Sequence, residues 1–189
     1  MISGGPELQS TQPLSLLTEN VSLDYVRQIA VTGHLYAIVD ACDQPAVPVK
    51  AEELGKDLAI SLYRGTPDED YWAIAPYLLR VDTDVFDWIV KKLWQEPWGI
   101  FVVSEADMQT LWKHFQNLLT VELPEGEQLY FRYYDPRVLP NFIQTCIPAE
   151  INDLLGPVAC YMTGTEPLQT LLKLTANKQI DKKTIRYRG

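Results

Sequence analysis

The segment Phe131-Arg132-Tyr133-Tyr134-Asp135-Pro136-Arg137-Val138-Leu139 constrains the fold more than any other stretch of the chain, because it changes backbone type at a defined residue. Phe131 and Tyr133 alternate with Arg132 and Tyr134 as the two faces of a pleated strand do, and aromatic side chains suit that half-buried surface. Asp135 ends the strand. Its carboxylate is placed to accept from the open N–H groups of the next turn, and Pro136 suits a first helical position, where no N–H is needed. A strand over Gln128–Tyr134 and a helix over Pro136–Cys146 are therefore expected, joined at a corner where Arg132 and Arg137 flank Asp135. The two arginines either neutralise the carboxylate and lock the corner or offer a charged surface to a partner.

With 189 residues, 47% of them hydrophobic, the chain is long enough for one substantial domain or for two lobes sharing one core, burying roughly 70% of its unfolded surface. No apolar run approaches the ~20 residues of a membrane span, and Met1–Gly5 lacks the basic start and apolar core of a signal peptide, so a cytoplasmic protein is expected. Cys42, Cys146 and Cys160 lie far apart and form no Cys-x-x-Cys pair; they read as small core residues rather than a disulfide framework or a zinc site. Charge is uneven: from Lys173 onward six basic residues face the single acid Asp181, whereas the remainder holds ten basic residues against 24 acids, a net of −14. Such a body repels phosphate and anionic lipid, so neither nucleic acid nor membrane is an expected partner. The basic end reads as a solvated tail, or as a patch that pairs with the acidic body or an acidic partner.

Along the chain, residues 1–21 read as weakly ordered, 22–163 as the main domain and 164–189 as a helical, basic tail. A helix is expected from Ser22 to Thr32, stopped by Gly33, followed by a buried strand over His34–Asp40. Ala46–Lys50, with its proline, reads as a loop. Glu52–Tyr63 reads as helix and then strand, and Gly65–Asp68 as a turn. Tyr71–Val81 is apolar but interrupted by Pro76, which predicts an edge strand or two strands meeting at a bend. Val85, Trp88, Ile89 and Leu93 share one face of a helix over Thr83–Trp94. A buried strand over Trp98–Val103 precedes a capping-box-like start at Ser104 and Asp107 and a helix to Leu119. After the opening motif come a short helix over Ala149–Leu155, a strand over Val158–Met162 and a helix over Leu168–Asn177. This order is that of a mixed α/β (α+β) domain, with helices packed on a mixed sheet.

Chemistry is sparse. The phosphate-cradle, nucleophile-elbow and zinc-protease signatures are absent. His114, beside Phe115 on a helix, reads as a partly buried histidine with one hydrogen bond, and His34 opens a strand far away in sequence. Asp40 and Asp43, at the end of a strand, are the best candidates for metal ligands, although carboxylates in a turn are usually caps or solvated charges. Trp72, Trp88, Trp94, Trp98 and Trp112 are mostly core, with one or two expected at a binding surface. No catalytic residue, cofactor or metal site is assigned.

The succession Leu35–Ala41, Ser61–Gly65, Ala75–Leu79 and Trp98–Ile100 with Ser104, closed by His114, Leu118, Leu119, Phe131–Leu139 and Leu154–Val158, resembles the effector-loading adaptors, or chaperones, of bacterial type VI secretion. This is a domain first catalogued as of unknown function, and the resemblance spans about Leu35–Met162. It implies a non-enzymatic protein in the cytoplasm of a Gram-negative bacterium, with a secreted toxic effector and a VgrG-type spike protein as partners. Arg132, Tyr134, Asp135, Pro136 and Arg137 become the family's signature corner, structural or partner-docking, with Tyr77 and Trp98 as further partner-binding candidates. Where that family often carries arginines after the histidine, this chain has Gln116 and Asn117. The competing readings are a small metal-dependent hydrolase built on Asp40, Asp43 and Asp135, and a structural subunit of a larger complex.

Overall fold

The computed structural model describes residues 16–63, 69–122, 125–165 and 170–176. Their centre is a seven-stranded sheet of β1 (Leu16–Ser22), β2 (Leu35–Asp40), β3 (Ala59–Ser61), β4 (Pro76–Arg80), β5 (Gly99–Val103), β8 (Cys160–Thr165) and β9 (Thr170–Ala176), in the order β1-β9-β8-β5-β2-β4-β3. A separate hairpin joins β6 (Thr120–Glu122) to β7 (Gln128–Tyr130). The mixed α/β class holds, but every pairing in the sheet is antiparallel, so the sheet is not mixed in strand direction.

Helices cover both faces. Leu35, Ala37 and Val39 of β2 join one apolar cluster with α1 (Leu23–Thr32), α2 (Ala46–Leu54) and α3 (Thr83–Lys92). Tyr36 and Ile38, pointing the other way, join a second cluster with α4 (Met108–Asn117), α5 (Leu139–Thr145) and α6 (Pro148–Leu155). Burial on both faces is why β2 reads as an unbroken apolar run rather than an alternation. The idea of two lobes on one core thus becomes two apolar layers separated by one sheet.

Local chemistry sets the helix ends. Ser22 Oγ accepts from the Tyr25 N–H at 3.2 Å to start α1, and Gly33, at φ 77°, stops it. Asp82 accepts from the Val85 N–H at 2.9 Å, and Asp107 from the Thr110 N–H at 2.7 Å. Asp107 alone is therefore the cap of α4. Ser104, fully buried, instead donates to the Pro157 carbonyl and accepts from the Ala106 N–H. Between β5 and β2 the backbones approach so closely that a Cβ on Gly99 would lie 2.0 Å from the Ile38 carbonyl oxygen.

Several expectations are corrected. Ala46–Lys50 is helix, not loop: Pro48 stands in the first turn of α2, where its missing N–H has no helical partner to lose. Tyr71–Ala73 belongs to a 3-10 turn, Glu69–Ala73. The strand beyond it, β4, lies between β2 and β3 rather than at an edge. Pro76 is tolerated as its first residue, where only its carbonyl is needed, to accept from the Leu62 N–H at 2.9 Å. The strand expected to reach Tyr134 ends at Tyr130, and α5 begins at Leu139 rather than Pro136. A strand from Leu16 replaces the weak order expected up to residue 21, and Thr170–Ala176 is a strand where a helix was expected. Ladders to β1 and β8 hold β9 in place, a tertiary gain that local propensity does not register. The expected turn at Gly65–Asp68 and the chain beyond Ala176 lie outside the described residues. No described helix is long and apolar enough to cross a membrane.

Candidate functional site

Two buried carboxylates define the site. Asp40 ends β2, and its side chain is only 8% exposed. Its Oδ1 accepts from the Cys42 N–H at 2.9 Å, while Oδ2 takes a hydrogen bond from the Arg132 guanidinium. The arginine is itself 43% exposed, with Cζ 6.0 Å from the centre of the Tyr134 ring. Burial lowers the Arg132 pKa, but the charge and hydrogen bond of Asp40, joined by Tyr134 and Asp135, together outweigh it and the net shift is upward.

Asp135 is the second, with its side chain 7% exposed. Its Oδ1 accepts from the Arg137 main-chain N–H at 2.8 Å and from Nε at 2.9 Å, and its Oδ2 from Nη2 at 2.6 Å. The planar guanidinium thus closes on the carboxylate with two parallel bonds, the strong geometry for such pairs. Burial alone would raise the Asp135 pKa; the hydrogen bonds and charge of Arg137, aided by Arg132, hold it below the usual carboxylate value. The Asp135 carbonyl accepts from the N–H groups of Val138 and Leu139. Asp135 therefore shapes a tight turn four residues ahead of the first residue of α5, in place of the helix cap expected of it.

Around this corner the aromatic residues divide. Tyr133 is fully buried and donates to the Phe115 carbonyl at 3.0 Å. Tyr134 is also buried, with its hydroxyl 3.0 Å from that of Tyr130. Burial raises both of these hydroxyl-paired tyrosines. Tyr133 and Tyr134 lie in a turn beyond the end of β7, not in the alternating strand expected over this stretch. Pro136 contributes a carbonyl that accepts from Thr163 Oγ1 at 3.4 Å.

The structure brings Arg132, Tyr134, Asp135, Pro136 and Arg137 together and adds Asp40. Trp98 lies apart from them as a side chain: it is 4% exposed and packs on Phe101 with ring centres 4.9 Å apart, so it is core and not a docking residue. Tyr77 is 7% exposed, donates to the Trp72 carbonyl and forms part of the floor of a groove of about 650 Å3 that Val49, Ile60 and Trp72 also line. Its hydroxyl is spent internally, in holding the Trp72 main chain. Asp43 is exposed with φ 62° and does not join Asp40 in a shared site. Among the described residues, no three His, Cys, Asp or Glu side chains gather as metal ligands. The chemistry of the corner is that of an electrostatic lock: two anions and two cations in alternation, with the outer faces of the arginines open to solvent.

Sequence reasoning missed the contact between Asp40 and Arg132, for which no local signal exists. It also left unassigned the exposed aromatic residues of the 3-10 turn, among them Trp72 at 58% exposure. The abundance of tryptophan was the available signal. Trp94 and Trp98 are core, Trp88 and Trp112 half-buried, and Trp72 faces solvent.

A family model described as a domain of unknown function, DUF4123, matches residues 35–153. Neither a curated protein nor a solved structure matches the chain.

Proposed function

Because the chain belongs to the DUF4123 family, we propose that it is a cytoplasmic, non-enzymatic adaptor that binds a type VI secretion effector and promotes its loading onto a VgrG-type spike protein. The observation that carries this reading is the ordered set of motifs from Leu35 to Val158, nearly all inside the family match, which resembles such adaptors and includes the Asp135 corner. The geometry of the corner supports it: both buried carboxylates accept hydrogen bonds from arginine, an arrangement suited to holding a docking surface in shape. A stable complex of this kind buries on the order of 1,200–2,000 Å2.

The test is co-purification of the tagged protein with the effector and spike proteins encoded in its own secretion cluster, followed by size-exclusion chromatography with light scattering. A stoichiometric complex with the effector is expected. Monodisperse protein that binds neither would overturn the reading.

A further inference from the structure

Six of the large hydrophobic side chains that the described residues expose fall in two short elements: Tyr71, Trp72 and Ile74 at the 3-10 turn and Val121, Leu129 and Tyr130 on the β6–β7 hairpin. The two elements are joined. The half-buried Tyr63 ring meets Tyr71 edge-on at 6.3 Å between centres and Tyr130 at 5.8 Å. Singly scattered apolar residues are ordinary on a surface, but a connected aromatic patch is not, and tyrosine and tryptophan dominate binding hot spots.

The hairpin is also acidic. Glu122, Glu125 and Glu127 are exposed and form none of the ion pairs among the described residues, and no lysine or arginine occurs from Leu119 to Phe131. These three carboxylates fall within six consecutive residues of one hairpin, with no cation in the segment to offset them, so their fields add over the patch. An apolar platform rimmed by one sign of charge fits a segment carrying the opposite sign.

We infer that the hairpin and the 3-10 turn, bridged by Tyr63, form the docking surface for a partner segment in which lysine or arginine is interleaved with aromatic or aliphatic residues. Under the adaptor reading, on which the identity of the partner rests, that segment belongs to the effector. Trp72 carries the surface on into the groove beside α2 and β3. The corner supports it from behind, since Tyr130 is tied to Tyr134 and Tyr134 lies under Arg132.

The first arm of the test measures binding of the cognate effector to the wild-type chain and to the triple variant Glu122→Lys, Glu125→Lys, Glu127→Lys, with Trp72→Ser as a second variant and thermal melts to confirm folding. A loss of about tenfold or more in affinity is expected for each, with wild-type binding weakening as salt rises. Full affinity in both folded variants overturns the surface while leaving the adaptor reading intact. If the effector does not bind the wild type, that reading fails and the second arm decides. There, isotope-labelled protein is titrated with a synthetic peptide of interleaved Lys, Leu and Trp, and with its Glu-for-Lys counterpart. Signal shifts confined to the two elements and seen only with the cationic peptide support the surface; shifts elsewhere, or with both peptides, overturn it. Self-association of the wild type that the triple variant loses would assign the patch to a second copy of the chain and also overturn it.

Discussion

Arg132 closes on Asp40 across 92 residues of chain, tying the end of a central strand to the corner that follows the β6–β7 hairpin. Removing it leaves a carboxylate that is almost wholly buried with, among the described residues, the Cys42 N–H as its remaining hydrogen-bond partner. Arg132→Ala is expected to cost about 2 kcal/mol in urea unfolding, below the usual figure for a fully buried pair because water reaches the arginine side. Asp40→Asn combined with Arg132→Ala should recover part of that loss, and a double-mutant cycle reads the coupling. Strict additivity would show that the contact carries no energy.

Arg137 presents the opposite case. Its side chain is 68% exposed, and Asp135 keeps a main-chain N–H bond to residue 137 when the guanidinium is removed. Arg137→Ala should therefore lower stability by about 1 kcal/mol or less at neutral pH. The sign of the pH effect follows from the depressed Asp135 pKa: its contribution is present above the usual carboxylate value of 3.8 and is lost as pH falls through the lower folded value. The variant should thus begin acid unfolding at higher pH than the wild type. Coincident acid transitions would contradict this. Normal melting together with normal effector binding would remove any role for this arginine in docking.

His114 supplies a second, higher pH window. Burial lowers its pKa from 6.5, partly opposed by the Leu154 carbonyl 3.1 Å from Nε2. The folded state therefore favours the neutral ring, and stability present above about 6.5 is lost as pH falls below it. Melting temperatures between pH 7.5 and pH 5, on the order of one unit either side of that value, should fall for the wild type and stay nearly flat for His114→Gln. Parallel curves would show that the histidine is not the titrating group.

Two glycines are expected to resist substitution. A Cβ at Gly99, where φ is 147°, meets backbone at Ile38 that has no room to retreat. Gly99→Ala should cost about 4 kcal/mol or prevent folding. At Gly156, where φ is 46°, the nearest atom is His114 Cε1 at 2.5 Å, and a ring can turn. Gly156→Ala should cost less, about 2 kcal/mol, and should also flatten the His114 pH dependence by displacing the ring from Leu154. Chemical denaturation at two pH values distinguishes the cases.

Local grammar carried the sequence reading where contacts are local. Ser22 with Gly33, and the apolar face of Val85, Ile89 and Leu93, predict α1 and α3 because caps and periodicity lie within a few residues of one another. Pro48 misled because its position within a turn, not its identity, decides what it breaks. Leu171, Leu172 and Leu174 fit a helix or a strand equally, and partners distant in sequence, Val21, Asn20 and Thr18, settle the choice. At the corner, the pairing of Asp135 with Arg137 was legible from spacing alone. Its other half, Asp40 with Arg132, depends on the sheet order that sets β2 beside β4 and β5, which no short window contains.

That sheet order also sets how the molecule yields to tension. Leu16 and Ala176 face each other at the end of the β1–β9 ladder, so a load pulling them apart opens that ladder like a zipper, one rung after another, instead of shearing all its hydrogen bonds at once. Beyond that ladder, the load on the Leu16 side passes through α1 to β2, the strand that ends at Asp40. Held by these two points, the protein gives way softly at one edge of its sheet.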